Sequence, residues 1–194
     1  MRKFEILITR PKLDSIETAE MFKKNKWIYS ISPLLEIKKV EFREVNIPKI
    51  DLIIFTSKNA VRFSKILKIK GIENTKVVTI GLGTKNLAKN IGFSDIINID
   101  GDQSKMLESL KKILSKDMNV LHPTWQSSNA HLKSFFLFMK CNYYPIKCYR
   151  SIKKNVCPEN FVKFMRSNNN GIITLFSSRT AQSFCNEIMK YKLI

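Results

Sequence analysis

Serine residues follow two strand-like runs of this sequence, at the points where helix-like patterns begin. Ser57 and Lys58 follow the first run, and Ser178 and Arg179 follow the second. The first turn of a helix has unpaired N–H groups and a partial positive charge, so a Ser there either caps the helix or helps to bind an anion. Two such positions in related contexts indicate a shared function, for which carboxylate groups are suitable ligands.

A third helix-like pattern begins with Gly-Leu-Gly-Thr at residues 81–84, directly after a β-branched run. The full G-x-G-x-x-G pattern is missing, and no acidic residue occupies the required place on a following strand. The sequence also contains no G-K-[ST] element, so a dinucleotide site and a P-loop are both excluded. Thr84 is therefore predicted to be an anion contact at the start of a helix.

The sequence shows no pattern for metal or nucleophilic catalysis. Its four cysteines form no C-x-x-C pair and are accompanied by only two histidines, so we expect reduced thiols and no zinc site. The cysteines are Cys141, Cys148, Cys157 and Cys185. No G-x-S-x-G element accompanies His122 or His131. His122 follows a predicted strand and is interpreted as a structural residue, with a loop site as the alternative.

The net charge is the most unusual property of the composition. Thirty-four Lys and Arg against sixteen Asp and Glu give a formal charge of +18. Such a charge favours nucleic acid or a small polyanion as partner, but a general Lys-rich bias would produce it as well. No run reaches the roughly 18 apolar residues of a membrane helix, and the N-terminus does not resemble a secretory signal. We therefore expect a soluble, cytoplasmic protein.

Short β-branched runs alternate along the chain with amphipathic segments whose apolar residues follow the 3.6-residue period of a helix. Strands are predicted at residues 4–9, 27–31, 51–55, 76–80, 95–99, 119–122, 143–149 and 171–176. Helices are predicted at residues 13–24, 60–69, 85–90, 103–114 and 128–139. The first is expected to bury Ile16, Ala19 and Phe22, and the last to be buried around its Phe-Phe-Leu-Phe run. This alternation predicts an α/β fold with mainly parallel sheets.

Two extended segments interrupt the alternation, at residues 31–42 and 144–152. A pair of such segments is typical of connectors that run out to a second domain and back. We therefore predict an inserted α/β domain at residues 35–149 and a discontinuous terminal α/β domain at residues 1–34 and 150–194, each with three layers. The two domains are expected to be joined by a two-stranded connector.

An internal repeat supports two similar domains. Residues 55–63 (FTSKNAVRF) and 176–184 (FSSRTAQSF) share the pattern F-[TS]-S-[KR]-x-A-x-x-F. Each copy follows a β-branched run and opens a helix-like pattern. The shared context favours duplication over a chance match.

Five segments together resemble the uroporphyrinogen-III synthase family. They are ITRP at 8–11, IIFTSKNAV at 53–61, TIGLGTKNLAKNIGF at 79–93, KCYRS at 147–151 and LFSSRTAQSF at 175–184. Members of that family carry a second IGxxTAxxLxxxG unit after the second FxS helix. This sequence stops at Ile194, just past that helix, so the terminal domain is expected to be truncated and the inserted one complete.

The resemblance implies a cofactor-free and metal-free lyase. Its substrate would be hydroxymethylbilane, a linear tetrapyrrole with eight carboxylates, which the family closes to uroporphyrinogen III with loss of water and inversion of ring D. Tyr149 matches the family's proton donor. The proposed substrate contacts are Arg10, Ser57, Lys58, Thr84, Ser178 and Arg179. The chain is expected to be a monomer without a membrane or nucleic-acid partner; a non-catalytic homologue and a basic nucleic-acid-binding module are the alternatives.

Overall fold

The computed structural model describes residues 4–40, 48–64, 69, 71–125, 129–154, 159–167 and 170–193. By internal contacts the chain divides into two compact units, Met1–Lys38 with Ser151–Ile194 and Lys39–Arg150. The predicted domain division, residues 1–34 with 150–194 and residues 35–149, stays a prediction. The predicted α/β fold with parallel sheets is confirmed.

The unit Lys39–Arg150, here the second unit, contains a five-stranded sheet and four α-helices among its described residues. In chain order they are β4 (Leu52–Phe55), α2 (Lys58–Ser64), β5 (Lys76–Ile80), α3 (Leu82–Asn90), β6 (Ile96–Ile99), α4 (Gln103–Lys111), β7 (Asn119–Thr124), α5 (Ala130–Phe138) and β8 (Asn142–Lys147). The strands have the order β6-β5-β4-β7-β8, and every pair is parallel. Their carboxyl ends therefore meet at one edge of the sheet.

Strand β4 lies in the middle of this sheet and is buried on both faces. Leu52 and Ile54 belong to a core cluster with residues of α4 and α5. Ile53 and Phe55 are equally buried on the opposite face, where the Phe55 ring meets Phe93 edge-on with 5.5 Å between centroids. A strand buried on both faces needs a continuous apolar run, which the sequence Leu-Ile-Ile-Phe supplies.

The first unit, Met1–Lys38 with Ser151–Ile194, contains a smaller parallel sheet. Its elements are β1 (Glu5–Ile8), α1 (Lys12–Lys24), β2 (Ile28–Ile31), α6 (Glu159–Arg166), β10 (Gly171–Thr174) and α7 (Ser178–Tyr191). The sheet order is β10-β1-β2, and one core cluster joins Leu7, Leu34, Phe161 and Ile188. Because the two copies of the repeat begin at the ends of β10 and β4, the order β10-β1-β2 corresponds to β4-β7-β8 of the second unit.

Two further strands, β3 (Leu35–Lys39) and β9 (Tyr149–Lys153), form a separate two-stranded sheet. They lie in the segments that the sequence predicted to be extended connectors. The single strand predicted at residues 143–149 is two strands, β8 and β9, which are separated at Cys148. Residues 41 and 42 of the first predicted connector lie outside the described residues.

Several other sequence predictions fall partly outside the described residues. α2 is described as Lys58–Ser64, so residues 65–68 of the helix predicted at residues 60–69 are not covered. Ser128, the predicted start of the fifth helix, and Cys157 are not covered either. Of the described part, no helix is long and apolar enough to cross a membrane.

Helix α1 does not bury the face that the sequence predicted. Ala19 is buried as expected, but Ile16 is 43% exposed. Its buried residues are Asp14, Ser15, Thr18 and Ala19, and two of them, Asp14 and Thr18, contact the Arg10 guanidinium. The helix therefore turns small and polar residues inward, against the apolar periodicity.

The aromatic run of α5 is buried on one side only, so the prediction of a wholly buried helix is wrong. Phe136 is fully buried and stacks on Tyr143 with 4.4 Å between ring centroids. Phe138, two residues later, is 77% exposed. Residues two apart on a helix point in different directions, so only one of them can face the sheet.

The two positions provide a matched test of this orientation. Phe136→Ala is expected to lower the free energy of unfolding by about 3–5 kcal/mol, because it removes a buried ring and leaves a cavity. Phe138→Ala is expected to change it by less than about 0.5 kcal/mol. Urea unfolding followed by circular dichroism measures both values. Equal losses in the two variants would contradict the orientation of α5.

Candidate active site

A hydroxyl pair lies at the carboxyl end of β4. The Tyr149 hydroxyl is 2.9 Å from Ser57 Oγ. Tyr149 is only 6% exposed, and its ring stacks on Phe63 of α2 with 5.9 Å between centroids. The turn from β4 to α2 therefore positions both members of the pair.

Ser57 also caps the helix that follows it. Its Oγ accepts a hydrogen bond from the Ala60 backbone N–H at 3.1 Å. The Ser57 hydroxyl can then donate its own proton to the phenol oxygen of Tyr149. In that arrangement the phenolic O–H is directed away from Ser57. The capping role and the site role proposed for Ser57 are therefore compatible.

Lys58 lies against the start of α3. A methyl group in place of the Gly83 hydrogen would lie 3.7 Å from Lys58 Cδ. The N-cap of this helix is Gly81, with φ of +78°, and it provides no side-chain capping hydrogen bond. Thr84, in the first turn of the helix, is only 6% exposed. The structure thus brings the aliphatic part of the Lys58 side chain, which carries the ammonium group, to a helix N-terminus. Thr84 itself is largely buried.

The other predicted contacts lie in the first unit, where internal interactions occupy them. Arg10 donates from Nη1 to Thr18 Oγ1 at 3.1 Å, and its guanidinium carbon lies 4.3 Å from the centre of the Phe176 ring. Arg179 donates from Nη2 to the Ser151 carbonyl at 2.9 Å. The Arg10 guanidinium therefore connects α1 with the segment after β10, and the Arg179 guanidinium connects α7 with β9.

Ser178 does not cap α7. The cap is Ser177, whose Oγ accepts from the Thr180 N–H at 3.1 Å. Ser178 is the first residue of the helix and is exposed. The two copies of the repeat both join a strand to a helix, but their caps are displaced by one residue relative to each other.

Sequence reasoning missed a second polar cluster, which lies at the same edge of the second sheet. His122 Nδ1 is 2.6 Å from the Tyr143 hydroxyl, and His122 Nε2 is 3.3 Å from Thr56 Oγ1. The signal that could have revealed it is positional: Thr56 follows one predicted strand and His122 ends another, and the carboxyl ends of parallel strands meet at one edge.

Burial sets the protonation of this cluster. His122 is 4% exposed, and desolvation lowers its pKa from the usual 6.5 to about 4. Desolvation also raises the pKa of Tyr143 well above its usual value of 10. Both groups are therefore uncharged at neutral pH, because burial disfavours the charged form of each. The predicted structural role of His122 is compatible with this neutral network.

A parallel α/β protein with a hydroxyl pair and a cationic side chain at the carboxyl edge of a sheet is suited to acid–base chemistry on an anionic ligand. The family model described as HEM4, Uroporphyrinogen-III synthase HemD, matches residues 16–193. The chain belongs to this uroporphyrinogen-III synthase family, which is an enzyme family of haem biosynthesis. The family predicted from the sequence is thereby confirmed.

Individual relatives agree with the family. A Methanocaldococcus jannaschii protein named "Putative uroporphyrinogen-III synthase" is 29% identical over 190 residues, which cover 93% of this chain and 76% of that protein. The crystal structure of uroporphyrinogen-III synthetase from Helicobacter pylori is similar with a TM-score of 0.59 and 16% identity, over 94% of this chain and 78% of that one.

A mutant uroporphyrinogen III synthase from Thermus thermophilus gives a TM-score of 0.57 and 12% identity, over 94% of this chain and 76% of that one. At these identities the structural likeness supports the fold alone. In the described part of the chain, no group of three or more His, Cys, Asp or Glu could hold a metal ion.

The pKa of His122 predicts how stability depends on pH. Its folded pKa of about 4 lies below the unfolded value of 6.5, so the unfolded state binds the proton first as the pH falls. The stabilisation that comes from neutral His122 is therefore fully present above pH 6.5 and is lost as the pH falls from 6.5 to 4. Between pH 7 and pH 4.5, protonation of this group should lower the free energy of unfolding by about 2 kcal/mol.

His122→Gln should remove that share of the loss, as measured by urea unfolding at the two pH values. His131→Gln is the matched control, because His131 is the second of only two histidines and is exposed. An unchanged pH dependence in His122→Gln would show that His122 is not buried as a neutral group.

Proposed function

We propose that this protein is a uroporphyrinogen-III synthase that cyclises hydroxymethylbilane to uroporphyrinogen III, with loss of water and inversion of ring D. The observation that carries the proposal is the pair of hydroxyls of Ser57 and Tyr149 at 2.9 Å. Membership of the synthase family supports the substrate class. The reaction needs proton transfer and carbon–carbon bond formation, so it requires no redox group.

Tyr149 is the proposed proton donor. The terminal hydroxyl of the substrate leaves as water when it receives a proton while its carbon–oxygen bond breaks. A phenol holds its proton at neutral pH, and Ser57, as donor to the phenol oxygen, stabilises the phenolate that forms. The substituted α-carbon of ring D then attacks the carbon that lost the hydroxyl and forms a spiro intermediate. Its older bond to the bridging carbon of ring C breaks, and the free α-carbon of ring D bonds to that bridging carbon. The proton that this α-carbon loses restores the phenol. The sum of these steps is the loss of one water.

Lys58 is the proposed direct contact for a substrate carboxylate. Its ammonium stem lies beside the start of α3, where backbone N–H groups also favour negative charge. Thr84 belongs to the same turn and contributes mainly through this N-terminus. The net charge of +18 raises the encounter rate with a polyanion.

Arg10, Ser178 and Arg179 are proposed to act from the first unit. The two arginines use part of their guanidinium groups for internal contacts with α1 and β9. Their proposed role is to hold these elements in place and to add positive potential. Ser178 is exposed at the start of α7, where it can donate to a carboxylate. Orientation of the flexible substrate by such contacts supplies selectivity over spontaneous closure.

Replacement of the phenol tests the proton donor. Tyr149→Phe keeps the ring that stacks on Phe63 and should lower kcat about 100-fold or more, because general acid catalysis contributes about 10²–10⁴-fold. Tyr144→Phe is the matched control, since this Tyr lies on β8 and its hydroxyl is 3.5 Å from Asn119 Oδ1. It should retain the wild-type rate.

The rates are measured in a coupled assay in which porphobilinogen and its deaminase generate hydroxymethylbilane, and type I and type III products are separated by chromatography. Equal kcat values for Tyr149→Phe and the wild type would remove Tyr149 from the mechanism. A folded wild-type protein that gives only type I product would favour the alternative of a non-catalytic homologue.

Removal of the Lys58 charge should affect binding more than turnover. Lys58→Met is expected to raise KM by at least about tenfold, because a hydrogen bond to a charged group contributes about 1.5–3 kcal/mol. Lys76→Met is the control, since Lys76 pairs with Asp95 at the amino end of β5. Steady-state kinetics at several salt concentrations measures both variants. Equal KM values would exclude the contact.

A further inference from the structure

A cavity of about 230 Å³ opens at the carboxyl edge of the second unit's sheet. The ends of β4, β5 and β7 and the starts of α4 and α5 line it. Clefts at this edge are the usual place for ligands in parallel α/β sheets. None of the contacts predicted from the sequence lines this cavity.

Among the described residues that line the cavity, none carries a charged side chain. Its walls combine the apolar side chains Ile80 and Leu132 with the indole of Trp125 and the neutral polar side chains Gln103 and His122. This neutrality is notable in a chain with 34 Lys and Arg residues. A carboxylate would lose hydration here without gaining a cation, so the cavity suits an uncharged group that is flat and forms hydrogen bonds.

The volume sets the size of the ligand group. Pockets for drug-sized molecules measure about 300–1,000 Å³, and a water molecule takes about 30 Å³ in the liquid. A cavity of about 230 Å³ therefore holds one substituted ring and excludes a whole linear tetrapyrrole.

The polar wall of the cavity is held rigidly. Tyr143 is clamped by its stack on Phe136, and its hydroxyl fixes the His122 ring through the 2.6 Å contact with Nδ1. The other ring nitrogen is only loosely engaged, at 3.3 Å from Thr56 Oγ1. Since burial keeps the imidazole neutral, this wall can accept a hydrogen bond from a ligand N–H without introducing charge.

We infer that this cavity receives one pyrrole ring of the tetrapyrrole substrate, with the ring against Trp125 and its N–H directed to the wall formed by His122 and Thr56. The inference rests on the proposed function, because it concerns the substrate named there. The acetate and propionate groups of that ring stay at the mouth of the cavity, where they remain hydrated.

The position of the cavity also excludes one ring of the substrate. Side chains alternate along β4, so Thr56 continues the face of Leu52 and Ile54 toward α4 and α5, whereas Ser57 begins α2 on the other side. The cavity and the hydroxyl pair of Ser57 and Tyr149 therefore flank the end of β4. The ring whose hydroxymethyl group loses its hydroxyl therefore lies at Tyr149, and the ring in the cavity is one of the other three.

Porphobilinogen, a single pyrrole with one acetate and one propionate, is the probe for this cavity. Trp27→Phe leaves Trp125 as the one indole of the chain, since the sequence has two Trp residues. In this background, porphobilinogen should change Trp125 fluorescence in a saturable way. Gln103→Phe places a ring in the cavity and should weaken binding at least about tenfold, which equals about 1.4 kcal/mol.

Ser104→Phe is the matched control, because Ser104 is the next residue of α4, is exposed and does not line the cavity. It should bind porphobilinogen like the parent. Loss of the fluorescence response in both variants, or in neither, would overturn the inference. The parent must also respond to porphobilinogen, and a parent without a saturable response overturns the inference as well.

The coupled isomer assay separates this inference from the proposed function. With both correct, Gln103→Phe raises KM for hydroxymethylbilane at least about tenfold, again about 1.4 kcal/mol, while kcat changes little. Type III product with an unchanged KM in Gln103→Phe overturns the cavity assignment and leaves the function standing. Porphobilinogen binding that depends on residue 103, together with type I product alone, supports a pyrrole cavity and overturns the synthase function.

Discussion

Burial of β4 on both faces is the constraint on which the candidate site depends. Leu52–Phe55 is wholly buried in the middle of a five-stranded parallel sheet. The strand can therefore end only where the sheet ends, and its next two residues enter the edge on opposite sides. Thr56 joins the cluster of His122 and Tyr143, and Ser57 starts α2 and meets Tyr149. One packed strand thus positions both halves of the proposed chemistry.

The two copies of the repeat show how much neighbours decide. Phe55 is fully buried between two strands and beside Phe93, whereas its counterpart Phe176 is 55% exposed. β4 has strands on both sides, while β10 pairs within the described residues with β1 alone. Similar nonapeptides therefore form a strand-to-helix turn in both places, but only the first lies in a closed core. The proposed proton donor is found beside that buried copy.

The sequence predicts the sheet better than it predicts the side-chain network. β-branched runs located the strands, and a continuous apolar run such as that of β4 indicates a strand buried on both faces. The pairing of Ser57 with Tyr149 could be expected only through the family resemblance, because 92 residues separate them. His122 and Tyr143 meet through the parallel register of β7 and β8, which local sequence does not encode. Ile16 was placed wrongly because α1 buries small and polar residues instead of its apolar periodic positions.

The most direct test of the account is the isomer composition of the product that the wild-type protein forms from hydroxymethylbilane. Spontaneous closure gives the type I isomer, so selectivity reports whether the protein orients the substrate before the ring closes. The account predicts type III product well above the level of a control without protein. Type I product alone, from a sample that unfolds cooperatively in urea, would contradict the assignment of synthase activity to this site.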